Sequence, residues 1–417
     1  MPDTFNDKKN NSFHKAPGAL TGTQAKLAAA ARARIIGVGL AEASARSIAR
    51  DAGANPSAIN YNLGGVEQLY SLVFEQAADD AALWIRDKHH EISALPAGPA
   101  GACAALEYVI DAWTSQGRDL ALLYQEALSW AAADPALLAR WTRQWRDFWT
   151  TAARHFGLEA TDGLLLNLFF QSEALYHLSS WSPAIERLAL RDLCDEFGWI
   201  WLGGTRHPAS GGLAIVQGVL HGENPERLAP AALNLALAAV AVVQDKGLLG
   251  LTHRAVAAHA GVTVGAVTHY FRTAEDLVAG TIRGQVEQLF LSENAERNAD
   301  SDNRSVASLA IMASQIDASV ATPAVSKVLF ARRALFLASL RDPASARAGA
   351  VVRFGYGRTS ERILAPFTKS DPEALPLHGA VMSRLVSSLW ITGLSGHADE
   401  RLGEEVIRRL ERGLGAQ

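Results

Sequence analysis

Two arginines stand out by what surrounds them. Arg46 follows Ser44 by two residues, and Arg254 follows Thr252 by two. Each opens a run with apolar residues at helical spacing, closed by a glycine: Ile48, Ala49, Ala52 and Gly53 in one, Val256, Ala257, Ala260 and Gly261 in the other. Beyond the glycine stand Asn55 and Thr263. A short segment with one polar side follows, carrying Ser57, Asn60, Tyr61 and Asn62 in the first run, and Thr268, His269 and Tyr270 in the second. These are hydrogen-bond donors, acceptors and rings, and the arginine fork can pair bidentately with guanine or with phosphate. The chemistry they suit is recognition rather than bond-making.

Nothing else in the chain argues for catalysis. No Gly-rich phosphate loop, metal-spaced His/Cys set or nucleophile elbow occurs. His89-His90-Glu91 comes nearest to a ligand cluster, but adjacent residues point to different faces of a helix, so it reads as solvated charge. Glu404-Glu405 reads as helix surface. No enzyme, no metal and no cofactor are expected.

The elements that must hold these side chains follow from local rules. Ser44 and Thr252 stand where they can cap the orphan amides of a helix. Gly53 and Gly261 supply a left-handed position that ends it. Asn55 and Thr263 then cap a second short helix, with Ala58 and Ile59, or Ala266 and Val267, facing inward. Two short helices joined by a glycine turn, the second polar and aromatic outside, suit the major groove of DNA.

The two runs are one unit written twice. Residues 39–69 align without a gap on 247–277, at an offset of 208, with Arg46, Ala49, Gly53, Ala58 and Glu67 repeated identically. Asp134-Pro135 and Asp342-Pro343 keep the same register. Since 208 is half of the 417 residues, a tandem duplication is expected.

The residues of both runs resemble the amino-terminal motif of the tetracycline-repressor (TetR) family, S/T-x-R-x-I-A-x-x-A-G-V-S-x-x-x-(I/L)-Y-x-(Y/H)-F-x-x-K-E-x-L. The second run follows it through Ala260-Gly261-Val262 and His269-Tyr270-Phe271. The first follows through Arg46, Ile48, Ala49, Ala52, Gly53 and Glu67-x-Leu69. Both depart at the lysine, replaced by Val66 and Ala274; the tyrosine gives way to Asn60 and Thr268, and the aromatic core residue to Leu63 in the first run. The resemblance implies that Arg46 and Arg254 reach a base edge or phosphate. Ser57 with Tyr61, and Gly265 with His269, fall at base-reading positions. Ser44, Asn60, Asn62, Thr252, Thr268, Tyr270 and Arg272 fall at phosphate-contacting ones.

The family resemblance further implies an all-α fold of two repeats, each a helix-turn-helix domain followed by a helical ligand-binding and dimerisation domain. The expected order is an arm at 1–22, a first head at 23–76, a first body at 77–202, a linker at 203–229, a second head at 230–284 and a second body at 285–417. The closing helices, near 162–202 and 373–415, would form a four-helix bundle, making an intramolecular pseudo-dimer open to further homodimerisation. The linker holds an apolar patch at 213–220 that suits a short helix packed on the halves.

Nine of the ten tryptophans lie in the first half. Trp141, Trp145 and Trp149 recur at helical spacing, either as a core-facing stripe or as the aromatic wall of an effector pocket. Trp130, Tyr124, Gln125, Glu126, Asn167, Gln171 and His177 would complete such a pocket, which favours an apolar or aromatic effector. In the second half Gly349 and Arg353 replace Trp141 and Trp145.

The net charge of −4 confines any DNA contact to local surfaces. Cys103 and Cys194 have no metal spacing and read as free buried thiols. No run is long enough for a membrane span, and no signal segment opens the chain, so a cytoplasmic protein is expected. The functional reading is a regulator, a repressor, that an effector releases from two unequal DNA half-sites. The alternative is a ligand-sensing or protein-interaction module that has lost DNA binding.

Overall fold

The computed structural model describes residues 20–130, 134–179, 181–222, 228–298, 323–341, 346–355, 374–394 and 402–413, with a few more between 357 and 365. The arm up to residue 19, Asp342 with Pro343, and residues 395–401 of the expected closing segment lie outside them. Every regular element among the described residues is helical, and none of these helices is long and apolar enough to cross a membrane.

The chain opens with α1 (Gly22–Val38), a 3₁₀ turn (Leu40–Glu42), α2 (Ala45–Asp51), α3 (Ser57–Leu63) and the long α4 (Val66–Ile92). A second set follows the joint: α11 (Pro230–Lys246), a 3₁₀ turn (Leu248–Gly250), α12 (His253–Ala260), α13 (Val264–Tyr270) and α14 (Ala274–Asn298). At the offset of 208 the two sets superpose in sequence to within a residue or two. Their cores coincide as well: Leu27, Ala31, Ile48, Ala49, Ile59 and Leu69 are buried, and so are Leu235, Ala239, Val256, Ala257, Val267 and Leu277. Gly53 and Gly261 both take left-handed backbone, at φ +64° and +68°. A Cβ would meet nothing there, so the backbone angle rather than space requires glycine.

The expected head–body borders at 76/77 and 284/285 fall inside α4 and α14. Each head is therefore continued into the body by an unbroken helix. The first body comprises α5 (Pro99–Ser115), α6 (Arg118–Ser129), α7 (Pro135–His155), α8 (Ala160–Tyr176) and α9 (Pro183–Leu202). Asp134 caps α7 by accepting from Leu137 N at 3.1 Å, which starts the tryptophan-bearing helix. That helix packs on α4 and α8. Trp145 meets Trp113, Trp84 and Phe170 at ring separations of 4.9, 6.0 and 4.2 Å.

In the second body stand α15 (Pro323–Ser339), α16 (Ala346–Gly355), α17 (Leu375–Ser387), α18 (Leu389–Leu394) and α19 (Leu402–Gly413). Helices α8 and α9 pack against α17, α9 packs against α19, and α17 packs against α19. One continuous hydrophobic core runs through all four. Within the joint, α10 (Gly212–Gly222) lies on α9 and α16. The Asp192 carboxylate accepts from Ser210 N at 2.6 Å and Leu213 N at 3.3 Å. A Cβ at Gly212 would stand 2.5 Å from Ala189 N, so only glycine admits this approach. Cys103 and Cys194 are free and buried, and burial pushes the Cys103 thiol up to about 12.

Candidate nucleic-acid interface

Each head is assembled by side chains that answer helix-end amides. Ser44 Oγ accepts from Ser47 N at 3.2 Å, and Thr252 Oγ1 from Ala255 N at 3.1 Å. Thr263 Oγ1 accepts from Ala266 N at 3.3 Å. In the first head the helix starts one residue later: Asn55 Oδ1 accepts from Ser57 N at 3.2 Å and from Ser57 Oγ at 3.1 Å, across Pro56. Removing the second head's cap with Thr263→Ala is expected to cost about 1 kcal/mol. Urea unfolding checks this; an unchanged midpoint would deny the cap any weight.

The heads differ in how the second helix is latched. In the second, a His253 ring nitrogen meets Phe271 O at 2.7 Å, tying the start of α12 to the end of α13. Ala45 occupies the matching position in the first head. There Gln24 Nε2 donates to Asn62 O at 2.7 Å, and the Tyr70 hydroxyl donates to Ala43 O. The turn after α13 is closed by Asp276, whose carboxylate accepts from Arg272 N at 3.2 Å and Thr273 N at 3.1 Å.

What remains exposed is the surface available to a ligand. Arg46, Asn60 and Tyr61 face solvent, Tyr61 at 91% exposure. Arg254, Gly265, His269, Tyr270 and Arg272 do so in the second head, with His269 and Tyr270 edge to face at 4.9 Å. Among the described residues neither Arg46 nor Arg254 makes an ion pair. Ser44, Asn55, Ser57, Thr252 and Thr263 are exposed too, but their oxygens serve the caps. Asn62 and Thr268 turn back on their own helices: Asn62 Nδ2 donates to Ala58 O at 2.8 Å and Thr268 Oγ1 to Val264 O at 3.2 Å. The polar face is thus narrower than the motif implies, centred on Arg46, Asn60 and Tyr61 in the first head and on Arg254, Arg272, His269 and Tyr270 in the second.

Eight of the residues expected around an effector fall into four places. Tyr124 Oη donates to Gln171 Oε1 at 2.9 Å, Gln171 Nε2 donates to Asn167 Oδ1 at 3.3 Å, and Trp141 lies 5.1 Å from the Tyr124 ring. Trp145 sits in the aromatic cluster described above. Trp130, half-buried, packs on Tyr70 and Phe74 under the first head. Glu126 is there too, accepting from Leu40 N at 3.3 Å and from Arg341 Nη2 at 2.6 Å.

His177 belongs to a buried charge cluster. Its Nδ1 lies 2.6 Å from Arg353 Nη2, and its Nε2 lies 3.6 Å from Asp111 Oδ1. Burial first, and the Arg353 charge second, hold its pKa below the usual histidine value. A neutral ring accepting from Arg353 fits both contacts. The centre of the cluster is Glu173, fully buried and bonded to both Arg353 and Arg384. Although burial opposes its ionisation, the two guanidinium groups hold its pKa down at about 2.

Sequence reasoning missed the second body's arginines as site residues. Arg341 Nε and Nη2 donate to Ile36 O at 3.4 Å and Ile35 O at 3.3 Å, closing the last turn of α1. Arg333 Nη2 donates to Gln125 Oε1 and, at 3.4 Å, to Gln125 O. Burial pulls the Arg333 guanidinium down to about 10. The available signal was composition: arginines inside apolar helices, with Arg333 and Arg353 standing where the first half carries Gln125 and Trp145.

Residues 236–280 match the family model of bacterial regulatory proteins of the tetR family. That stretch, from α11 into α14, is a TetR-type helix-turn-helix domain. Among curated proteins, the chain is similar to the HTH-type transcriptional regulator BetI of Burkholderia mallei (strain NCTC 10229), 27% identical over 152 residues, 36% of this chain and 75% of the relative. BetI of Paraburkholderia phytofirmans is 28% identical over 156 residues, 37% and 77% of the two chains. BetI of Paraburkholderia phymatum is 28% identical over 161 residues, 38% and 79%.

Proposed function

We propose that this chain is a DNA-binding transcription regulator, a duplicated pseudo-dimer that presents two helix-turn-helix heads from one polypeptide. The observation that carries this is the second head, where a capped, latched helix pair in the family-matching stretch exposes Arg254, His269 and Tyr270 together. The first head supports a second reader, since its helices, caps and buried positions recur at the 208-residue offset.

Two contacts favour the pseudo-dimer. Gln125 meets Arg333, and Trp201 O accepts from Arg409 Nη1 at 2.7 Å. In each pair a residue touches the position 208 further on. Contact between equivalent positions is what a two-fold interface requires at its axis. The four-helix packing of α8, α9, α17 and α19 supports the same arrangement.

The regulator acts as a repressor that releases two adjacent, unequal half-sites when a small effector favours another head spacing. Two heads reading one face of the duplex need a separation near one helical turn, roughly 34 Å, so a modest shift in spacing suffices. Arg341 offers a route for it, since this residue beyond α15 is bolted to the end of α1 in the first head.

Selection of bound duplexes from a random pool tests the proposal, and a non-palindromic site is the expected product. On that site Arg254→Ala should cost about 1–3 kcal/mol if the side chain reads guanine. The log–log salt slope should approach roughly −0.9 per phosphate contact. A pool that never enriches would favour a sensing module without DNA, a reading that Val66 and Ala274 in place of lysine would then explain.

A further inference from the structure

Gly265 is a glycine that nothing in the free chain requires. It lies in the first turn of α13, in helical backbone without a positive φ. A Cβ there would meet only the Thr263 hydroxyl, at 3.8 Å, which is ordinary contact. The position faces solvent. At Gly53 and Gly261 a left-handed backbone angle calls for glycine; here alanine would fit and would favour the helix. A bare position on an exposed helix face is what a closely approaching partner needs.

Beside the bare position stands apolar surface. Val264 is 43% exposed, and Val262 is exposed just before it. Helical spacing sets Gly265 one turn before His269 and Val264 one turn before Thr268, so these four share the side of α13 turned away from buried Val267. In a helix-turn-helix docked in the major groove, that first turn is the part that meets base edges. The Ala266 amide is already answered by Thr263 Oγ1, so what this turn offers is apolar surface rather than charge. The thymine C5-methyl is the apolar group that the major groove presents to such a surface. The first head lacks the arrangement: Ser57 stands where Gly265 does, and its hydroxyl donates to Asn55 Oδ1 at 3.1 Å.

We infer that the first turn of α13 selects a thymine in the second head's half-site: Gly265 lets the helix backbone close on the base pairs, and Val264 packs on the thymine methyl. The inference rests on the regulator reading and names one base of the site that this reading leaves open. Because Ser57 replaces Gly265 in the first head, thymine is demanded in one half-site and not at the matching place of the other.

The test uses the full chain and the duplex selected from a random pool, with its thymines replaced one at a time by uracil, which lacks the methyl. One replacement should weaken binding by about threefold to fivefold, the worth of one buried methyl. That penalty should all but vanish in Val264→Ala. Gly265→Ala should move two readouts in opposite directions. Amide hydrogen exchange across α13 should slow, because alanine is the better helix former, while affinity for the duplex falls by about fivefold or more, as for a mismatched base pair. The inference is overturned if no uracil replacement matters, or if every uracil penalty persists in Val264→Ala. It is equally overturned if Gly265→Ala binds as tightly as the parent, or if its α13 exchanges faster, which would make the glycine structural. Any of these in a chain that still binds its duplex leaves the regulator reading standing. A pool that never enriches defeats the regulator reading, and this inference with it.

Discussion

Replacing Glu173 by glutamine should destabilise the chain by about 3–5 kcal/mol, among the largest effects available to a single near-isosteric change. Glu173, Arg353 and Arg384 are all fully buried. The substitution removes one charge and leaves two guanidinium groups without it. Glu186, whose Oε2 is 3.7 Å from Arg353 Nη1, remains as partial compensation on one side only. A domain has a net stability of only about 5–15 kcal/mol, so the loss is a large fraction of it. A second change discriminates charge from shape: Glu173→Gln combined with Arg384→Met should recover part of the loss, because it removes one of the stranded charges. Recovery of nothing would mean that packing, rather than charge, holds this junction.

The same residue sets an acid dependence. The folded carboxyl is held at about 2, below its ordinary value of 4.5. A depressed carboxyl stabilises the folded state fully above the unfolded value and loses that contribution as pH falls towards the folded one. The window therefore runs from about pH 4.5 down to about 2. Urea unfolding of parent and Glu173→Gln should differ most near pH 6 and converge as the solution is acidified. A constant gap down to pH 3 would count against the ionised carboxylate as the cause. The two halves are joined through this cluster, so weakening it should also loosen the geometry that fixes the spacing between heads.

Local features were legible in the sequence and contacts between distant segments were not. Ser44, Thr252, Thr263 and the two glycines act within a few residues of themselves, and their roles follow from helix-end chemistry alone. The 208-residue register likewise carries the bounds of α1, α2 and α4 over to α11, α12 and α14. Glu173, by contrast, reads as one more polar residue in an apolar helix. Its partners lie 180 and 211 residues away, and only the folded packing of α8 against the second body brings them together. The tryptophan stripe left two readings open because periodicity reports that a face is buried without saying against what. Here Trp113, Trp84 and Phe170 fill the space beside Trp145. Gln125 and Arg333 share one column of the internal repeat, yet only an interface between the halves makes that column a contact.

The heads differ in how they are supported, and this gives the second large effect. The first head's Ile59 belongs to the continuous core that runs through α8, α9 and the closing helices. Val267 in the second head sits in a small separate core with Leu235, Val256, Phe271 and Leu277. An unpaired carboxylate is strongly disfavoured in either place. In the second head, however, the damage can be confined to local opening. Val267→Asp should therefore abolish binding by this head while the main thermal transition stays where it was. If both heads hold one duplex, losing one removes the gain from linked binding and lowers affinity by about 10²–10⁴-fold. Ile59→Asp should also weaken binding, but with a lowered main transition, because its core is shared. Melting curves and duplex titrations of the two variants check both halves of the argument. Unchanged DNA affinity in Val267→Asp would remove the second head as a reader, and a main transition that fell as far as that of Ile59→Asp would show the small core to be coupled to the large one.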